Sequence, residues 1–151
     1  MKKTVLGFAL FSALASAALG GETIEVYKSP DCGCCGKWGE VMKKNGFEIV
    51  EHKTNAIIET KNKYGVPPEL SSCHTGIVGG YAIEGHVPAE EIKALLSAKP
   101  ADVVGISVPG MPLGSPGMEQ GSIVEDYDVI AFKKDGTSEV FASYKNGKKV
   151  K

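Results

Sequence analysis

The chain has no arginine: all 17 of its basic residues are lysines among 151 positions. Bidentate capture of phosphate and of guanine edges leans on the planar guanidinium fork. That absence, with a formal net charge of only −1, argues against a sequence-reading nucleic-acid binder. The chain also shows no Ser-His-Asp set, no carboxylate pair and no phosphate-cradling glycine loop. It has no internal repeats. Beyond residue 20 no apolar run approaches the ~20 residues that a bilayer span requires.

What is present begins with a targeting segment. Lys2 and Lys3 supply a positive start, Val5 to Leu14 an apolar run, and Ala13 to Gly20 a tract of small residues. This is the pattern of a secretory signal peptide over residues 1–20, cleaved before Gly21. An uncleaved anchor is the rival reading, and the shortness of the apolar run speaks against it. The lysine start and short run point to bacterial export and hence to the periplasm. The remaining 21–151 has the length of one domain, with no membrane segment in the mature form. At 42% hydrophobic and 23% charged residues the composition can build a core.

Alternation in Thr23-Ile24-Glu25-Val26-Tyr27 predicts a strand. A helix starts near Cys34 or Cys35, with Trp38, Val41 and Met42 on one apolar face, and ends at Asn45-Gly46. Phe47–His52 reads as a second strand. A helix capped by Thr54 runs from Asn55 to about Tyr64. Cys73–Val78 and Tyr81–Ile83 flank Gly79-Gly80 as a hairpin, and Pro88 opens a third helix. Strand-helix-strand-helix-strand-strand-helix is the order of a thioredoxin-like α/β fold: a mixed sheet with flanking helices and a cysteine loop between strand one and helix one. Residues 101–121 read as a Gly/Pro/Met loop, Tyr127–Phe132 and Glu139–Tyr144 as a C-terminal β-hairpin around Asp135-Gly136, and Lys145–Lys151 as a loose tail.

The chemistry concentrates in Asp31-Cys32-Gly33-Cys34-Cys35-Gly36, which holds three of the four cysteines in four consecutive positions. An exported chain ordinarily uses four cysteines as two disulfides, yet this spacing is poor for stapling, which gains most from long loops. Cys32 and Cys35 form a Cys-x-x-Cys pair at a helix start, where thiolates are favoured. Cys34 between them would scramble a simple redox disulfide but suits a site that bridges metal ions. On the predicted fold Cys73 faces the other three. Four thiolates suit zinc or copper(I). Met111 and Met118, in the repeated Pro-Gly-Met of the loop, add soft thioether sulfur and favour copper(I). His86, just before helix three, can reach the site. His74 is expected to point to the opposite sheet face, and His52 to lie on the surface.

These residues carry a resemblance. Cys32-Gly33-Cys34-Cys35-Gly36, Ser72-Cys73-His74-Thr75, Glu84-Gly85-His86-Val87-Pro88 and Pro109-Gly110-Met111-Pro112 through Ser115-Pro116-Gly117-Met118-Glu119 together resemble the bacterial periplasmic copper-resistance CopG family. The resemblance implies a thioredoxin-like fold, a cysteine-bridged cluster of several copper ions on Cys32, Cys34, Cys35 and Cys73, and a role in copper tolerance with copper(I)/copper(II) interconversion. Met111, Met118 and His86 are further candidate ligands, and other periplasmic copper-handling proteins are candidate partners. Two rival readings stand beside it: a thiol-disulfide oxidoreductase using Cys32 as nucleophile and Cys35 as resolving thiol, and a zinc-stabilised module.

Overall fold

The structure, a computed structural model, describes residues 21–151; the predicted signal peptide lies outside the described residues. The element order is β1 (Thr23–Lys28), α1 (Gly33–Lys44), β2 (Glu48–Lys53), α2 (Ile57–Lys63), a 3₁₀ turn (Pro68–Leu70), β3 (His74–Val78), β4 (Tyr81–Glu84), α3 (Ala89–Ala98), β5 (Val103–Ser107), β6 (Tyr127–Lys133), β7 (Ser138–Lys145) and β8 (Lys148–Lys149). No helix among the described residues is long and apolar enough to cross a membrane.

The strands form one mixed sheet in the order β2-β1-β3-β4-β5-β6-β7-β8. β1 and β2 are parallel, as the intervening helix demands. β3 runs antiparallel to β1 and forms a hairpin with β4. β5 returns parallel to β4 across α3, and β6 to β8 follow as an antiparallel meander.

Side-chain alternation divides the core between the two sheet faces. Ile24, Val26, Val78, Ile83, Ile106 and Val129 pack with Trp38 and Met42 of α1 and with Ile92 and Leu95 of α3. A smaller cluster, Val66, Ala82 and Phe132, is covered by Tyr64, Leu70, Ile77 and Val104. Each large side chain buried in this way contributes about 1.5–3 kcal/mol, so the first face anchors both α1 and α3. The start of α1, which carries the cysteines, is thereby held against the sheet.

Several expectations shift. Residues 101–121 contain a strand, β5, where an irregular loop was expected. Val103-Val104-Gly105-Ile106 is a short near-continuous apolar run with glycine at its centre, the pattern of a strand covered on both faces, and it has no alternation to betray it. Helix α2 begins at Ile57, because Thr54 Oγ1 accepts the Ala56 N–H at 3.0 Å outside the helix rather than capping it. The tail is not loose throughout: Asn146-Gly147 turns the chain back so that Lys148–Lys149 pairs with β7. The other strands and helices stand within a few residues of their predicted places.

Candidate metal centre

The site is built where β1 and β3 lie side by side. Register pairs Lys28, the last residue of β1, with His74, the first of β3. The loop that leaves β1 and the loop that enters β3 therefore meet at one sheet end. The first carries Asp31 to Cys35 into α1, with the Cys32 N–H bonded to Ser29 O at 3.2 Å. The second carries Ser72 and Cys73. Cys32 occupies the N-cap of α1, so the sulfurs of Cys32, Cys34 and Cys35 are grouped within its first turn. Cys32 and Cys35 are joined as a disulfide, and Cys34 Sγ stands 3.6 Å from Cys32 Sγ. With Cys73, all four sulfurs lie within 4.8 Å of one another. Lys28 is buried beneath this loop, its Nζ 3.5 Å from the Cys32 carbonyl and 3.5 Å from Glu51.

Two histidines adjoin the fourth cysteine. Cys73 Sγ is 3.2 Å from His74 Nδ1 and 3.1 Å from His86 Nε2, and the three form a second compact donor group. His86 Nδ1 donates to the Pro116 carbonyl at 2.8 Å. A carbonyl only accepts, so Nε2 is the unprotonated nitrogen and turns its lone pair to Cys73. His74 is wholly buried, its ring 4.6 Å from that of Trp38, and its Nε2 has no hydrogen-bond partner among the described residues. Burial holds both imidazoles below their usual pKa, His74 well below, with the neighbouring His86 adding to the effect on His74. Both rings are neutral at neutral pH, the form that binds metal. Burial, and next the charge of Cys34, push the Cys73 thiol up to about 12. A bound cation reverses that balance and displaces the proton.

His74 is the site residue that sequence reasoning misplaced. Pleat alternation would send it and Cys73 to opposite faces, but β3 starts only at His74. Cys73 is still in the loop, where alternation does not apply, and its sulfur turns back onto the His74 ring. His86 lies where expected. His52 is half-buried on β2, beside Glu25 and stacked on Tyr27 at 4.7 Å, away from the cysteines.

The Met111–Met118 loop is tied over the site by its backbone. Ser72 Oγ donates to the Gly110 carbonyl, and His86 holds the Pro116 carbonyl. Gly117, at φ +82°, lies so close to α1 that a Cβ there would stand 2.6 Å from Trp38 N and 3.2 Å from Cys34 O. Met118, the next residue, is partly buried, whereas Met111 is 52% exposed.

Soft sulfur donors beside neutral imidazoles can bind a soft or borderline metal ion. The four-sulfur group and the Cys73-His74-His86 group share Cys73, so the donors are laid out as two adjoining pockets with one common corner.

Comparison with known proteins follows the same lines. Residues 70–118 match a family model described as a protein of unknown function, DUF411. That segment contains Cys73, His74, His86, Met111 and Met118. A solved structure of copper resistance protein CopG, form 2, is 41% identical with a TM-score of 0.79, over 83% of this chain and 99% of that one. Form 1 of the same protein is 42% identical with a TM-score of 0.77, over 81% and 96% of the two chains. No curated protein sequence shows significant similarity to the chain.

Proposed function

The chain belongs to the copper resistance protein CopG family, and from that premise we propose that it is a periplasmic copper-binding protein that holds several copper ions on Cys32, Cys34, Cys35 and Cys73. The observation that carries the reading is the shared corner: Cys73 Sγ belongs at once to the four-sulfur group and to the group with His74 and His86. Thiolate sulfur bridges ions readily, and neither pocket is complete without Cys73. Met118 and Met111 supply thioether sulfur from the loop above, and His74 joins His86 as a nitrogen donor. The β1-α1-β2-α2-β3-β4-α3 portion is a thioredoxin-like unit, extended by β5 to β8. That assignment is supported by the strand order β2-β1-β3-β4 and by the cysteines at the start of α1, directly after the loop that leaves β1.

The Cys32–Cys35 pair gives the site a redox function as well. Two thiolates closing to a disulfide release two electrons, which reduce two copper(II) ions to copper(I). The reverse step restores both sulfurs as ligands. Cargo copper and the electron store thus share the same atoms.

Copper counted on the mature chain, reduced and loaded without air, tests the proposal. The expected result is more than one copper(I) per chain, with a marked fall on Cys73→Ser. A single ion, or none, would sink the multi-copper reading. One observation favours a second reading, a thiol-disulfide oxidoreductase: the Cys32–Cys35 disulfide sits at a helix start. On that reading metal-free disulfide exchange survives Cys34→Ser, and loss of exchange in that variant counts against it.

A further inference from the structure

A buried ion pair lies behind the site, on residues that belong to neither donor group. Lys61 is the buried residue of α2, and Glu84 at the end of β4 is wholly buried. The Lys61 ammonium donates to Glu84 Oε1 and, at 3.2 Å, to Thr75 Oγ1. Glu84 Oε1 also accepts the Ser72 backbone N–H at 2.6 Å, and Oε2 accepts the Thr75 hydroxyl at 2.7 Å.

Such a pair is costly. Desolvating two charges often outweighs their attraction, and a well-packed apolar pair of the same volume does as well or better for stability. A short helix whose buried contact is a lysine has forgone ordinary packing, so the pair calls for a role beyond holding α2 down. Its partners indicate that role. Ser72 precedes Cys73 and Thr75 follows it by two residues, so one carboxylate grips the chain on both sides of the shared sulfur. The main chain of Glu84 leads directly through Gly85 to His86, and the Gly85 N–H bonds back to the His74 carbonyl at 2.9 Å. Glu84 is therefore fastened to both segments whose side chains meet at Cys73.

We propose that Lys61 and Glu84 are positioning residues: a charge-assisted clamp that sets the separation of Cys73 from His86 and keeps the two donor pockets sharing one corner. The inference rests on the copper-binding reading above. Charge-assisted bonds are about twice as strong as neutral ones, and Glu84 accepts them from the Ser72 N–H and the Thr75 hydroxyl, on either side of the ligand rather than from the ligand itself. Groups outside a metal's immediate ligands that orient those ligands typically govern ~10–100-fold in affinity.

The test uses the mature chain, reduced and loaded with copper(I) in the absence of air. Affinity is read by competition with bicinchoninic acid, and the site by its thiolate-to-copper ultraviolet absorption. Glu84→Gln keeps the side-chain shape but leaves Lys61 without its counter-charge. The double variant Lys61→Met/Glu84→Gln leaves no lone buried charge, and it serves where the single variant does not fold. The expected result is an unchanged number of copper ions, an affinity for the most weakly held ion lowered about tenfold or more, and an altered absorption band. A folded variant, single or double, with the unaltered affinity and band overturns the clamp. Failure of the unsubstituted chain to take up copper overturns the copper reading and the clamp with it. Uptake by that chain leaves the clamp to be decided by the variants alone.

Discussion

Gly117→Ala probes how closely the Met111–Met118 loop is seated on the cysteine helix. Gly117 has φ +82°, where an L-side chain costs about 1–2 kcal/mol. It also touches α1: the new methyl would stand 2.6 Å from Trp38 N and 2.9 Å from Trp38 Cα. Carbon contacts are comfortable only near ~3.5 Å, so the loop must withdraw by about 1 Å, since a helix backbone does not give way. That movement pulls Pro116 O from His86 Nδ1, a 2.8 Å bond worth about 1 kcal/mol. The total is about 2–3 kcal/mol, enough to move a urea midpoint by about 1 M at a typical slope. Gly110→Ala is the internal control. Gly110 has a similar φ of +70°, but its Cβ would meet nothing within 4 Å. It should lose only the conformational term, about 1–2 kcal/mol. Urea unfolding of both metal-free variants, with the Cys32–Cys35 bond intact, reads the difference directly. Equal losses in the two would refute the reasoning, because they would mean that Gly117 is needed for its backbone conformation and not for close approach to α1.

Trp38→Phe removes the indole N–H that donates to the Val87 carbonyl at 2.9 Å, and it opens space beside the His74 ring. A loss of about 2–4 kcal/mol is expected from the unpaired carbonyl and the cavity together, measurable by the same denaturation; a loss below about 0.5 kcal/mol would contradict it. The metal-free protein should also weaken in acid. The folded-state pKa of His74 lies well below 6.5, so as pH falls below about 6.5 the unfolded chain takes up the proton first. Stability then declines, by at most about 1.4 kcal/mol per pH unit for one group, until the folded-state pKa is reached. Above about 6.5 His74 contributes no slope. Unfolding free energies at pH 7.5 and 5, compared between the parent chain and His74→Phe, isolate the effect: the variant should show the shallower decline, and identical slopes would rule it out.

Candidate metal site and fold were legible to different degrees. Three cysteines in four residues need no tertiary structure to be seen as a cluster, and strand-helix periodicity placed them where the chain passes from β1 into α1. The hairpins were readable because Gly79-Gly80 and Asp135-Gly136 are local turn chemistry. Cys73 could be set opposite the cluster only by likening the element order to a thioredoxin-like fold, in which the loop before the third strand lies against the cysteine loop. β5 was hidden because a glycine-centred apolar run has no period, and its pairing with β4 is a contact across α3.

What the sequence by itself determined is the inventory of soft donors and the elements that carry them, because cysteine spacing and hydrophobic periodicity are local properties. Tertiary structure alone decided that His74 joins them and that Cys73 is shared by both donor groups. His74 entered the site because Cys73 lies in a loop whose sulfur direction no pleat rule governs. The partnership of Lys61 with Glu84 and Ser72, and the seating of Gly117 on Trp38, join residues far apart in the chain. Such contacts depend on sheet register and helix placement, and no periodicity in the sequence encodes them.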